Sequence, residues 1–507
     1  MASRTLRSDA VAVVRHLSEA GAPALRAFIE RQRWFAGKAR GLQTARIEDW
    51  SALSEDPLLV LLLIRADDTR YFVPVALGQT PADPARSIGP LDGLSLFDAH
   101  WHPDFGTSLL DAIKSRRALA SACGTFRFAP VEPWDHSSWD ALDRMPAKPH
   151  SGEQSNTSIF FDRRLILKSI RRPEPGINPD FEMLRFFADR PGFVHVPRLA
   201  GWAEYADQGG TATVALLQQF VANTGDGWTH MLARLGSLCE RLAASDDPAD
   251  DEERVAALGG ETLTEVQQLG EVTGQLHAAL ASEPGQPAFR PEPITDVDVR
   301  RWRRALVQDL ERLTAEITVA SERMPPAHRA ALEPFLDARP RIERAADNLV
   351  PLADGTAHKI RCHGDYHLGQ VLKTADSFVV IDFEGEPARS VDERRAKQCP
   401  LRDVAGMLRS FDYVVEAALA ALPEAGRARL RPALEAWERL AAGAFLGGYM
   451  VSAGKSPEHL LPRSPEAARR ACAVFELEKA CYELRYELNN RPDWIAIPLA
   501  GIWRLLE

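Results

Sequence analysis

The chain has 507 residues and a mass of 56.0 kDa, room for two to four domains at about 150 residues each. Hydrophobic residues make up 45% of it and charged residues 26%, which excludes global disorder. With 61 basic against 71 acidic side chains the formal net charge is -10, which argues against a nucleic-acid or anionic-membrane binder but leaves room for a local phosphate pocket.

From the N-terminus, Asp9 to Phe35 reads as helical, with Val11, Val14, Leu17, Leu25 and Ile29 on one face. No signal-peptide pattern precedes it, and no apolar run approaches the ~20 residues of a membrane span. Strand-like runs follow at Leu58–Ile64 and Tyr71–Ala76, turned by Ala66-Asp67-Asp68. Residues 80–103, rich in Gly, Pro and Asp, read as loop or boundary, so a first module of residues 1–130 is expected.

Residues 131–222 form the next expected domain. Ser158–Phe161, Arg164–Ser169 and Thr211–Phe220 have strand character, and Asn178–Asp189 reads as a helix with Pro179 in its first turn. Residues 223–507 then turn mainly helical. The run Ser245–Glu253 reads as an acidic solvated loop, followed by helices over Leu263–Ala281 and Val297–Ala320. The six cysteines form no CxxC pair and no framework spacing, so they are read as reduced thiols of a cytoplasmic protein.

One short β-containing island, residues 358–386, carries the chemistry. It holds His363-Gly364-Asp365-Tyr366-His367-Leu368-Gly369-Gln370 and, after an apolar run, Ile381-Asp382-Phe383-Glu384. Phosphoryl transfer needs a carboxylate to orient or deprotonate the attacking hydroxyl and hard oxygen ligands for Mg²⁺. Asp365 fits the first role, and Gln370 and Asp382 fit the second, with a hairpin expected to bring Asp382 back toward Asp365. Read singly, these are turn acids and a surface amide; the full string at this spacing is far more specific.

These segments resemble the catalytic and metal loops of the aminoglycoside-phosphotransferase-like kinases. Within that superfamily the chain resembles bacterial maltokinases. Gln32-Arg33-Trp34-Phe35-Ala36-Gly37-Lys38, Gly152-Glu153-Gln154-Ser155-Asn156-Thr157-Ser158, Asp382–Pro387, Leu401–Phe411 and Glu487–Trp494 carry that likeness over nearly the whole chain. The resemblance implies an α+β, bilobal protein-kinase-like fold with a β-rich N-lobe, a mainly helical C-lobe and an additional N-terminal α/β cap. It also implies ATP and Mg²⁺ as cofactors, maltose as acceptor, maltose 1-phosphate as product, and a trehalose synthase as a partner for the cap.

A nucleotide site is sought next to that island. Gln154, Ser155, Asn156 and Thr157 stand where a kinase phosphate loop would lie, although the segment carries only one glycine. Lys168 stands in an apolar strand where a charge needs a partner, and Glu182 on the following helix is the expected one. Gln219 and Val221 follow the next strand as hinge residues beside adenine. Gly364, where many protein kinases carry an arginine, predicts a kinase without phosphate-driven loop ordering. For the acceptor, Glu478, Tyr482, Arg485 and Asn489 fall on one stripe of a helix over Phe475–Asn490. Glu478 and Tyr482, with Trp494 and His363, are the expected sugar contacts, while Arg402 and Asp403 are expected to support the metal loop. Two alternatives stay open: a kinase for glucosamine or another small sugar, and a non-catalytic scaffold on the same fold.

Overall fold

The computed structural model describes residues 9–38, 41–132, 147–150, 156–190, 192–245, 250–283, 285–321, 324–456 and 458–507. The chain divides into two compact units, residues 1–222 and 223–507. Gln154 and Ser155 lie outside the described residues.

The first unit opens with two helices, α1 (Ala10–Ser18) and α2 (Ala22–Arg31), where one helical region was expected; the break falls at Gly21. Its first sheet has β1 (Ala45–Glu55), β2 (Leu58–Ala66), β3 (Thr69–Phe72), β4 (Val75–Gly78), β5 (Ser87–Leu91) and β6 (Leu94–Asp98), in the order β1-β2-β4-β6-β5 with β3 on β2. Strands β5 and β6 occupy the stretch read as loop. Pro90 and Gly93 suggested a break, but Gly93 sits in the turn between them with φ +82° and lets the hairpin close.

Strand β2 has an unbroken apolar run because both its faces are covered. Val60, Leu62 and Ile64 pack with Phe28 and Ile29 of α2. Leu59, Leu61 and Leu63 face the other way, into a core shared with α3 (Phe105–Lys114) and a second sheet. That sheet has β7 (Ala118–Ala120), β8 (Gly124–Pro130), β9 (Ala147–His150), β10 (Asn156–Phe161), β11 (Leu165–Ile170), β12 (Leu199–Asp207) and β13 (Gly210–Gln219). All its pairs are antiparallel, in the order β7-β8-β12-β13-β11-β10-β9. Helix α4 (Pro179–Ala188) packs against β12.

The second unit is helical: α5 (Gly227–Ala244), α6 (Asp251–Leu280), α7 (Asp296–Ser321), α8 (Pro326–Ala345), α9 (Val391–Arg395), α10 (Leu401–Ala420), α11 (Glu424–Ala453), α12 (Pro465–Asn490) and α13 (Ala496–Leu506). Two small hairpins interrupt it: β14 (Glu292–Pro293) with β15 (His358–Lys359), and β16 (Val371–Lys373) with β17 (Phe378–Val380). The acidic stretch after α5 is partly helical, because Asp250 caps α6 by accepting from Glu253 N–H at 2.9 Å. All six cysteines are free thiols. Among the described residues no helix is long and apolar enough to cross a membrane.

Candidate active site

Two apolar strands set the geometry of the second unit's site. Pairing of Val371 with Val380 in the β16–β17 hairpin, extended by Ile381 N–H donating to Gln370 O at 3.0 Å, brings Gln370 and Asp382 together. Gln370 Nε2 donates to Asp382 Oδ2 at 3.3 Å. Asp382 adopts φ +65°, a left-handed backbone that few side chains other than Asp and Asn tolerate.

The loop carrying Asp365 is held from beneath. Asp403, in the first turn of α10 and buried, accepts from His363 N–H at 2.7 Å and Gly364 N–H at 2.9 Å. The same carboxylate faces His277 Nε2 at 3.1 Å. Burial pushes Asp403 up, but the His277 bond, with His363 and the Gly364 N–H, more than reverses this and holds it below the ordinary carboxylate range. Helix α10 passes so close that a Cβ on Gly406 would lie 2.5 Å from Tyr366 O.

His363, an expected sugar contact, lies outside the lining of the cavity beside Asp365. Its ring is buried between Tyr366 and Phe383, with centroids 5.3 and 5.0 Å away. Nε2 meets Ile381 O at 2.9 Å, which fixes Nδ1 as the acceptor for Asp365 N–H at 3.3 Å. The imidazole therefore ties the Asp365 loop to the residue before Asp382.

Asp365 opens onto a cavity of about 320 Å³ whose wall includes Glu386, Arg389, Glu478, Lys479 and Tyr482. Lys479 Nζ donates to Asp365 Oδ1 at 2.9 Å and to Glu386 Oε1 at 3.0 Å. Burial pushes the Asp365 carboxyl up, and the Lys479 ammonium, helped by His367 and His363, overrides it and holds the group at about 2. A carboxylate that acidic orients a hydroxyl well but draws its proton only late in the transfer. Lys479 and Glu386 were missed in the sequence. Lys479 directly follows Glu478 and falls off the chosen stripe, although Phe475, Lys479 and Tyr482 are spaced i, i+4, i+7 along α12.

Glu478 and Tyr482 do reach this cavity. Glu478 is already engaged, with Oε1 taking Arg402 Nη1 at 2.6 Å and Arg389 Nη2 3.6 Å away. Arg402 in turn lies over the Phe475 ring at 4.6 Å. Tyr482 offers its ring to Lys479 Nζ, 4.7 Å from the centroid. Trp494 does not line the cavity: it stacks on Tyr413 at 6.5 Å, with the Arg491 guanidinium 4.8 Å away. Twelve helical residues separate Glu478 from the end of α12, about 18 Å at 1.5 Å per residue, and Trp494 lies beyond that end.

In the first unit, Ser158 of β10 faces Lys168 of β11 in register. Lys168 is buried, and its Nζ donates to Asp180 Oδ2 at 3.2 Å. Asp180 is thus a partner of Lys168 that the sequence did not point to, and Glu182 stands half-buried two residues later on the same helix. The cause is local: Asn178 Oδ1 caps α4 by accepting from Phe181 N–H, and Pro179 starts the helix, so that Asp180 is carried inward in the first turn. Of the phosphate-loop residues, Asn156 is buried, and Thr157 Oγ1 accepts from Arg171 Nε at 2.8 Å. That bond ties Thr157 to Arg171 while using only an acceptor lone pair of the hydroxyl. Gln219 closes β13, its N–H donating to Arg198 O at 2.8 Å, and Val221 follows at the end of the unit.

Residues 146–442 match the model of the phosphotransferase enzyme family, and residues 28–100 match the maltokinase N-terminal cap domain. A glucosamine kinase of Streptacidiphilus jiangxiensis is 28% identical over 71% of this chain and 75% of its own length. A second glucosamine kinase, from Mycolicibacterium smegmatis, is 27% identical over 81% of this chain and 91% of its own. The solved structure of a glucosamine kinase in complex with glucosamine, ADP and inorganic phosphate superposes with a TM-score of 0.64 at 21% identity, covering 97% of this chain and 99% of that one. The fold is therefore bilobal and kinase-like, with antiparallel sheets in the N-terminal part, a helical C-terminal part and an added N-terminal cap. Its family model spans more than half of the residues and covers the Asp365 loop and the Gln370–Asp382 hairpin, and the chain belongs to the phosphotransferase enzyme family.

Proposed function

We propose that this chain is an ATP-dependent kinase of a small sugar, with glucosamine the first acceptor to test. The observation that carries the reading is the cavity at Asp365: an ionised carboxylate at the wall of a pocket built from alternating acids and guanidiniums, suited to a polyhydroxyl ligand. The two named relatives point the same way.

In this reading Asp365 orients the acceptor hydroxyl for in-line attack on the γ-phosphate, and Lys168 contacts the α- and β-phosphates. Gln370 and Asp382, in contact through Nε2 and Oδ2, carry between them an amide oxygen and a carboxylate, hard donors of the kind magnesium prefers. When bound there, the ion would neutralise phosphate charge. Maltose is the second reading, favoured by the match of residues 28–100 to the maltokinase cap.

The test is ADP release by the full chain with Mg-ATP against glucosamine, maltose, glucose, trehalose and kanamycin, with NMR of the product. Turnover highest with glucosamine supports the first reading, and turnover highest with maltose replaces it by the second. No turnover with any sugar refutes the kinase reading.

A further inference from the structure

Lys479 is the one cation that α12 places directly on the Asp365 carboxylate, and nothing derived above assigns it a chemical part. An ammonium has three N–H donors. Two are used, on Asp365 Oδ1 at 2.9 Å and Glu386 Oε1 at 3.0 Å. Among the described residues no further oxygen takes the third, while the side chain lines the cavity. The second oxygen of Glu386 is held by Arg389 Nε at 2.6 Å, so Asp365, Glu386, Arg389 and Lys479 form a set of two anions and two cations. A charge needed only to balance Glu386 is already supplied by Arg389. Lys479 is surplus to that purpose, and it points at the reacting carboxylate.

We propose that Lys479 is a catalytic residue whose third N–H donates to the oxygen of the acceptor's reacting hydroxyl, fixing that oxygen against Asp365. The proposal rests on the sugar-kinase reading. In the step, the acceptor oxygen forms its bond to the γ-phosphorus as the bond from that phosphorus to the β,γ-bridging oxygen breaks. The hydroxyl proton passes to Asp365, ADP leaves, and Lys479 neither gains nor loses a proton. A donor beside a carboxylate selects a group that both accepts and gives a hydrogen bond, as a hydroxyl does. It repels an ammonium, so the amine of an amino sugar must lie elsewhere in the cavity. Burial pushes the Lys479 ammonium down, but Asp365 and Glu386 override this and keep it charged through neutral pH.

The experiment is steady-state kinetics of the full chain, wild type against Lys479→Ala and the double variant Lys479→Ala/Glu386→Gln, with Mg-ATP and the best sugar acceptor. Lys479→Ala is expected to lower kcat by about 10²–10³-fold, the cost of removing one preorganised donor, with KM for ATP within about twofold. The double variant also replaces the Glu386 carboxylate, whose Oε1 loses the Lys479 donor, by a neutral amide. It restores the melting temperature and leaves kcat low if Lys479 touches the acceptor. Added methylammonium should recover part of kcat in both variants. Recovery of kcat in the double variant without the amine, or unchanged kcat in Lys479→Ala, overturns the proposal alone. A wild type inert toward every sugar overturns the kinase reading, and this assignment with it.

Discussion

The carboxylate beneath the Asp365 loop offers the sharpest test of how the site is built. Asp403 serves three donors: His363 N–H, Gly364 N–H and His277 Nε2. Leaving a buried donor unsatisfied costs about 1–3 kcal/mol. Asp403→Ala would strip three at once, roughly 3–9 kcal/mol against a whole-domain stability of about 5–15 kcal/mol. Asp403→Asn is the usable perturbation. Its best rotamer keeps one oxygen at the Oδ2 position, facing His363 and His277, and turns the amide NH₂ toward Gly364 N–H. One donor is then lost, so about 1–3 kcal/mol of unfolding free energy should go. Gly364 adjoins Asp365, and a shift near 1 Å in a reacting group costs about 100-fold in rate. Urea unfolding followed by tryptophan fluorescence reads the first quantity and kcat the second. A stability loss under about 0.5 kcal/mol together with kcat within twofold of wild type would refute the reasoning.

Other outcomes follow from the same geometry. Glu476 is half-buried, and desolvation pushes its carboxyl up to about 7. Its folded value lies above its unfolded one, so stability falls as pH rises from near 4.5 through 7, and Glu476→Gln should gain up to about 3 kcal/mol at pH 8 and little at pH 4. Equal gains at both pH values in thermal melts would sink this assignment. Gly406→Ala forces a methyl against Tyr366 O and should cost about 1–3 kcal/mol, with kcat falling in the same variant; an unshifted melting temperature contradicts it. Asp365→Asn should nearly abolish turnover while leaving the affinity for Mg-ATP intact by calorimetry. Asp382→Ala should remove most of the melting shift given by Mg-ATP, and a shift equal to the wild type's would rule out its metal role.

The fold was legible where pattern and chemistry agreed. The apolar run before Asp382 and the turn residues before it forecast the β16–β17 hairpin, and the capped, Pro-started segment after Asn178 forecast α4. The misreadings share a cause: side-chain partners are set by tertiary packing, which one-dimensional spacing does not carry. Asp180 stands in the first turn of α4, and only the direction of that turn carries it to Lys168. Lys479 lies 114 residues from Asp365, beyond any local pattern. Trp494 drew notice as an aromatic near polar helix residues, but the length of α12 removes it from them. Strands β5 and β6 were hidden because Gly and Pro signal turns equally well inside a sheet.

The two-faced burial of β2 has a consequence for anyone who would trim this protein. Leu59, Leu61 and Leu63 share one core with Phe126, Ile159 and Leu167 of the second sheet, while Val60, Leu62 and Ile64 complete another with the opening helices. Cutting away the first hundred residues would therefore leave an open hydrophobic wound on the sheet that bears Lys168. Grafting a foreign cap would need matching side chains on both sides of a single strand. A one-residue insertion within β2 would exchange the two sets of leucine-rich contacts at once. The first hundred residues and the strands after them are thus a joint inheritance: neither can drift, be shuffled or be replaced without the other.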